Sequence, residues 1–245
     1  MQRSFNFSFL NANIIKILAA LFMVLDHVGY MLFPKIEILR ILGRLSMPLF
    51  AFMIAEGATF TRNKFRYFLL IFLLGVIFQV VYFFVYESLY MGILITFSLS
   101  IIMIYTLQFF KSKMLGGKLF EKIYSFLLFA LSIFTTYILN LLFKIDYGFW
   151  GCLLPLFATL LRFDYVDKNS GALKRVDNIP LNLISFAVGL ILLCLSFGKN
   201  QYYSLLALPI LFFYSGDKGK LNLKYFFYIF YPLHMVIIYA ISLLF

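Results

Sequence analysis

The sequence predicts an all-α fold, a polytopic transmembrane bundle of about nine helices (eight to ten), and three observations carry that prediction. The 245 residues are 64% hydrophobic and only 13% charged, with a mean hydropathy of +0.97. Water-soluble domains run at about 45–50% apolar and about 25% charged, so a surface covered by water is excluded. The apolar residues fall into stretches separated by charged or turn-forming clusters. Each crossing helix takes about 20 apolar residues, so the chain has room for a bundle with short loops and for no soluble domain. Residues 1–245 therefore read as a single domain.

In chain order the predicted crossings are 14–33, 45–60, 67–86, 91–110, 123–143, 148–162, 181–197, 202–214 and 226–245. The first reads as a retained helix, because no small-residue cleavage site follows its apolar run. The segments 45–60, 148–162 and 202–214 are short and contain Pro48, Pro155 and Pro209. Short, interrupted helices at membrane depth are tolerated where they pack inside the protein or line a cavity, so a site is expected among them. The longest polar stretch, 164–178, reads as a loop, and no internal repeat is visible. Cys152 and Cys194 lie in apolar runs and read as packing residues; neither a disulfide nor a metal pair is expected.

The excess of 21 Lys and Arg over 10 Asp and Glu gives a net charge of +11. In a membrane protein such an excess first records orientation, and contact with anionic headgroups comes second; no nucleic-acid partner is expected. The loops after the second, fourth, sixth and eighth crossings hold Arg62, Lys64 and Arg66, then Lys111, Lys113, Lys118 and Lys122, then Arg162, Lys168, Lys174 and Arg175, then Lys218, Lys220 and Lys224. The alternate loops hold Lys35, Arg40, Arg44, Lys144 and Lys199. With Arg3 and Lys16 at the front, this pattern places the N-terminus in the cytoplasm, and an odd number of crossings would put Phe245 outside.

Titratable residues inside apolar helices cost at least about 2.5–3.5 kcal/mol each at the bilayer centre, so each asks for an explanation. Asp26 and His27 lie in the first predicted crossing, Glu56 in the second and His234 in the last, and no other histidine exists in the chain. Adjacent helical residues diverge by about 100°, so Asp26 cannot readily face His27 and is expected to answer a cation elsewhere, with Arg40 or Arg44 as candidates. His27 suits proton abstraction from an amine or hydroxyl near neutral pH. The bland alternative is a hydrogen bond that holds helices together, with metal ligation a remote third.

Arg40 and Arg44 share a helix face and could grip a phosphate or carboxylate bidentately, or else anchor the helix end at the interface. Gly43 between them permits close helix approach, and Pro48 bends or restarts the helix. Glu56 could orient a histidine, neutralise an arginine, or meet water near the interface. Tyr225, Tyr228, Tyr231 and His234 recur every three residues as one stripe. Tyr225 fits an aromatic belt, whereas His234 lies deeper and calls for a partner. The stretch 146–151, with Tyr147, Gly148 and Trp150, reads as a structural turn.

Four blocks in order, Asp26-His27, then Gly43-Arg44 with Pro48 and Phe50, then Glu56-Gly57 with Thr61-Arg62-Asn63, then Tyr228 with Tyr231-Pro232-Leu233-His234, resemble the TraX family over essentially the whole chain. TraX is known as a membrane protein that N-acetylates conjugative pilin, within the wider transmembrane acyltransferases. The resemblance implies an acyltransferase of the bacterial inner membrane with acetyl-CoA as cytoplasmic donor and no metal. The implied acceptor is an amine or hydroxyl of a membrane-associated or extracytoplasmic pilin-like peptide, glycan or envelope polymer. By the same resemblance His27 is the catalytic histidine assisted by Asp26, with Glu56, His234, Arg40 and Arg44 lining the site. Charge counting puts Arg40 and Arg44 on the outer side, which makes Arg62, Lys64 and Arg66 the better candidates for the donor phosphates. Two other functions use the same residues: a transporter or proton-coupled carrier, since intramembrane Asp, Glu and His also build proton relays, and a non-catalytic assembly factor.

Overall fold

Asn11 opens the first helix by accepting from the N–H groups of Asn13 and Ile14, both at 3.1 Å, which satisfies donors that no helical carbonyl reaches. The computed structural model describes residues 9–163, 179–221 and 223–244. Its elements are α1 (Ala12–Met31), α2 (Glu37–Gly43), α3 (Ser46–Phe60), α4 (Lys64–Tyr86), α5 (Ile93–Gly116), α6 (Leu119–Leu142), α7 (Gly148–Phe157), α8 (Ile179–Phe197), a 3-10 helix (Lys199–Leu206), α9 (Ala207–Phe212) and α10 (Lys224–Ser242). The fold is all-α, and among the described residues the only extended pairings are two isolated bridges, Leu10 with Tyr214 and Met91 with Ile145.

Six segments are long and apolar enough to cross a membrane: Ala12–Met31, Glu37–Phe60, Lys64–Phe84, Ile93–Gly116, Leu119–Leu142 and Pro180–Phe197. Shorter apolar helices lie at Gly148–Phe157 and Ile229–Ser242. The chain is a multi-pass membrane protein. Most boundaries shift by a few residues from those read off the sequence, and two crossings change more. The second crossing starts at Glu37, because α2 and α3 join into one apolar run, with Pro48 in the first turn of α3 where its missing N–H costs no bond. The 202–214 segment is a 3-10 turn followed by a six-residue helix, too short to span. The 164–178 loop, with Lys168, Lys174 and Arg175, lies outside the described residues, as do Arg3 and the side chains of Lys224, Tyr225 and Tyr228.

The packing divides into two compact units, Met1–Met53 with Cys194–Phe245, and Ile54–Leu193. In the first, α1 lies against α2 and α10. The chain before α1 is tied to the loop after α9: Leu10 N–H donates to the Phe213 carbonyl at 3.0 Å, Ala12 N–H to Asp217 at 2.8 Å, and the Asn13 amide to Leu221 at 2.7 Å. Ser46 Oγ donates to the Ala19 carbonyl at 2.8 Å, fixing the start of α3 on α1. Ile15, Leu49 and Phe52 fill the core of this unit, where Phe52 meets Tyr214 edge-on.

In the second unit α5 is central and packs against α4, α6 and α7. Hydroxyls join the helices: Ser100 donates to the Cys152 carbonyl at 2.7 Å, Ser185 to Phe157 at 2.7 Å, and Thr106 meets Ser132 at 2.9 Å. Cys152 here and Cys194 in the first unit are both buried free thiols. The outward faces of α4 and α6 expose residues such as Ile77, Val80, Phe120, Leu131 and Phe134, the apolar cover expected where acyl chains are the solvent. Between the helices, Tyr90 donates to the Asp146 carboxylate at 2.6 Å. Burial first, and then the Asp146 charge, push the Tyr90 phenol above its ordinary range, so it stays a donor. Tyr147 and Gly148 take left-handed φ of 56° and 54° and turn the chain into α7, the structural turn expected there.

Candidate active site

Two glycines bring α2 onto α1. A Cβ at Gly43 would collide with the side chain of Asp26 and stand 2.7 Å from its Cα, and one at Gly29 would stand 2.8 Å from Leu39 Cβ. At this closeness the four-residue spacing of Arg40 and Arg44 delivers both guanidinium groups to one carboxylate. Arg40 Nη1 is 3.0 Å from Asp26 Oδ2, and Arg44 Nη2 is 2.8 Å from Oδ1. Arg40 Nη1 also donates to the main-chain carbonyl of Asp26 at 3.1 Å, the carbonyl of the peptide bond leading into His27. The Arg40 guanidinium lies over the Tyr30 ring at 5.1 Å.

His27 points to a different face and meets α10. Its Nδ1 is 3.3 Å from His234 Nε2, with the ring centroids 5.1 Å apart. His234 is buried, stacks on Phe230 at 5.1 Å, and places its Nδ1 2.9 Å from the Phe230 carbonyl. These contacts order the protons. A carbonyl oxygen only accepts, so His234 Nδ1 carries hydrogen and its Nε2 offers a lone pair. The facing His27 Nδ1 must then donate, which leaves the lone pair of neutral His27 on Nε2. The pair thus presents a base whose tautomer is held by a neighbour 207 positions away in the chain.

Glu56 belongs to the second unit, and its partner there is Arg162, which is 1% exposed and lies over the Phe60 ring at 5.6 Å. A Cβ at Gly57 would stand 2.7 Å from Tyr67 Cζ, so that glycine admits the tyrosine between α3 and α4. Lys111 is buried as well. Its Nζ donates to the carbonyls of Thr159, Leu160 and Arg162 at 2.9, 2.6 and 3.2 Å, closing the chain that leaves α7. Charge counting assigns Arg162 and Lys111 to polar loops; the structure puts both inside. Lys64 donates to Gln108 at 2.6 Å, while Arg62 and Arg66 are exposed around the Asn63 cap of α4.

The structure therefore joins Asp26 to Arg40 and Arg44, joins His27 to His234, and keeps Glu56, Arg62, Lys64 and Arg66 in the other unit. Sequence reasoning missed Arg162 as the partner of Glu56. The available signal was an arginine directly after the apolar run ending at Leu161. Among the described residues no group of three or more His, Cys, Asp or Glu could hold a metal ion.

A family model described as TraX protein matches residues 11–242. The chain is 28% identical over 261 aligned positions, covering 97% of both chains, to "Probable fimbrial assembly protein FimC, serogroup H1" of Dichelobacter nodosus. It is 45% identical over 40 residues to "Uncharacterized protein RP591" of Rickettsia prowazekii (strain Madrid E), a match covering 16% of each protein. No solved structure matches the chain.

Proposed function

The chain belongs to the TraX family, and on that premise we propose that it is an integral-membrane acetyltransferase. It moves an acetyl group from acetyl-CoA to an amine or hydroxyl of an envelope acceptor. The observation that carries this reading is the ordered histidine pair, which gives His27 a defined Nε2 lone pair in a water-poor setting. The acceptor's N–H or O–H proton passes to that nitrogen as its heteroatom bonds to the acetyl carbon. The C–S bond then breaks, and the coenzyme A thiolate leaves and recovers the proton from the imidazolium.

The exposed Arg62 and Arg66, with Lys64, are the residues that would receive the anionic donor, in keeping with a cytoplasmic N-terminus. A fimbrial assembly function in the name of a full-length relative supports a pilin-like or other envelope acceptor. Purified His27→Ala is expected to turn over acetyl-CoA about 10²–10⁴-fold more slowly than the native protein. A wild-type rate would remove His27 from the chemistry. Mass spectrometry of envelope proteins, glycans and lipids with and without the protein is expected to reveal an acceptor lacking one acetyl increment.

A further inference from the structure

Resting on that reading, we propose that Gln108 is a positioning residue for the donor, which holds the Lys64 ammonium, without neutralising it, for a phosphate group of coenzyme A. Lys64 is the first residue of α4 and is exposed, yet its Nζ turns inward to donate to Gln108 Oε1 at 2.6 Å. Gln108 lies in α5 and is 2% exposed. Tyr105, three residues earlier on the same face of α5, fixes the rest of the lysine. Its hydroxyl donates to the Lys64 carbonyl at 3.0 Å, and its ring centroid lies 5.3 Å from Nζ.

The chemistry of these partners points to a ligand. Arg44 meets Asp26, Lys113 meets Glu121 and Arg162 meets Glu56, so each of those cations is answered by a carboxylate of the protein. Lys64 is answered by an amide and a neutral ring, which leave its full charge in place. Arg62 and Arg66 flank it in the chain and are exposed, and the first turn of α4 holds no acidic residue, although a helix N-terminus favours anions. The amide is also costly where it stands. With Oε1 on the ammonium, Gln108 Nε2 is buried and has no hydrogen-bond partner, which lowers stability. A glutamate would fill the same space, leave no orphaned donor and pair with Lys64. The glutamine forgoes that stability and keeps the cation available, as expected of a binding site rather than of a structural bridge. The phosphates of coenzyme A lie away from its thioester, so this contact governs donor affinity and not the chemical step.

The test compares thermal unfolding of the purified full-length protein and of Gln108→Glu, which keeps the shape and supplies a carboxylate to Lys64, with and without coenzyme A. The variant is expected to unfold at a higher midpoint without ligand and to bind coenzyme A about tenfold more weakly. Equal affinities overturn the proposal. In a Lys64→Gln background the same substitution is expected to weaken binding no further; an undiminished second loss means that Gln108 does not act through Lys64 and overturns it as well. If Gln108→Glu does not fold, Gln108→Leu, which releases the ammonium, is expected to weaken coenzyme A about threefold, and an unchanged affinity overturns the proposal. The same measurement with phosphatidylglycerol in the micelles distinguishes a lipid headgroup from the donor. If Gln108→Glu loses stabilisation by the lipid and keeps that by coenzyme A, the anion is a headgroup and the proposal fails. In acetyl-CoA turnover KM is expected to rise in Gln108→Glu with kcat unchanged, and a fall in kcat alone overturns the positioning role. A native protein that binds coenzyme A through Lys64 but transfers no acetyl group would lose the transferase reading and keep this site.

Discussion

At the residue scale, the reactivity assigned to His27 depends on a proton arrangement set by its partner. His234 makes no proposed contact with the reacting atoms and acts as a positioning residue, accepting from His27 Nδ1 while donating to Phe230. His234→Ala removes that acceptor and frees the His27 tautomer, and kcat is expected to fall at least about tenfold with KM for acetyl-CoA unchanged. His234→Gln retains an amide oxygen able to accept from Nδ1, so partial recovery of kcat is expected. Two equally impaired and well-folded variants would mean that His234 does not act through the tautomer. The isolated imidazoles were legible because only two histidines exist and both interrupt apolar runs. Their pairing was not, because nothing local in α1 encodes a residue 207 positions away. The same holds for Glu56, whose inward, paired state follows from the cost of burying a carboxylate, while its partner Arg162 looks in sequence like any loop arginine.

At the element scale, the apolar stretches and their proline interruptions announce nearly every helix, since crossing length and mean hydropathy are local properties. The exceptions are instructive. Glu37, Arg40 and Arg44 dilute the hydropathy of 37–44 and give it the look of a loop, yet Glu37 and Arg40 are carried on a short helix packed on α1, and Arg44 caps its C-terminal end. A 3-10 helix, Lys199–Leu206, takes up residues 202–206 of the segment 202–214, where a continuous crossing was expected. The α1–α2 seam gives this scale its prediction. Gly43→Ala places a methyl group on Asp26, and overpacking of this kind costs about 1–3 kcal/mol. The midpoint of thermal unfolding is expected to drop and the Arg44–Asp26 bridge to lengthen, with activity falling more than stability alone explains. Native stability and turnover in the Gly43→Ala protein would show that the close approach is not required.

At the scale of the whole molecule, the division into two units was not visible in the sequence, because one unit is assembled from both ends of the chain and the other from its middle. Composition reports the bilayer and the distribution of Lys and Arg reports orientation, but neither reports which crossings pack together. Orientation is therefore the global property best tested from outside. The native thiols Cys152 and Cys194 are both fully buried, so a membrane-impermeant maleimide should leave them unmodified. A thiol placed at Gly116, where a Cβ meets nothing within 4 Å, reports the α5–α6 connection, and one at the exposed Lys35 reports the α1–α2 connection. The basic residues Lys111, Lys113, Lys118 and Lys122 flank the first position, while only Lys35 falls within 32–36 around the second. In intact cells Lys35→Cys is expected to react and Gly116→Cys to remain unlabelled until the membrane is opened. The reverse pattern would invert the bundle, moving the Arg62–Arg66 face away from cytoplasmic acetyl-CoA and removing the route by which the proposed donor reaches its basic residues.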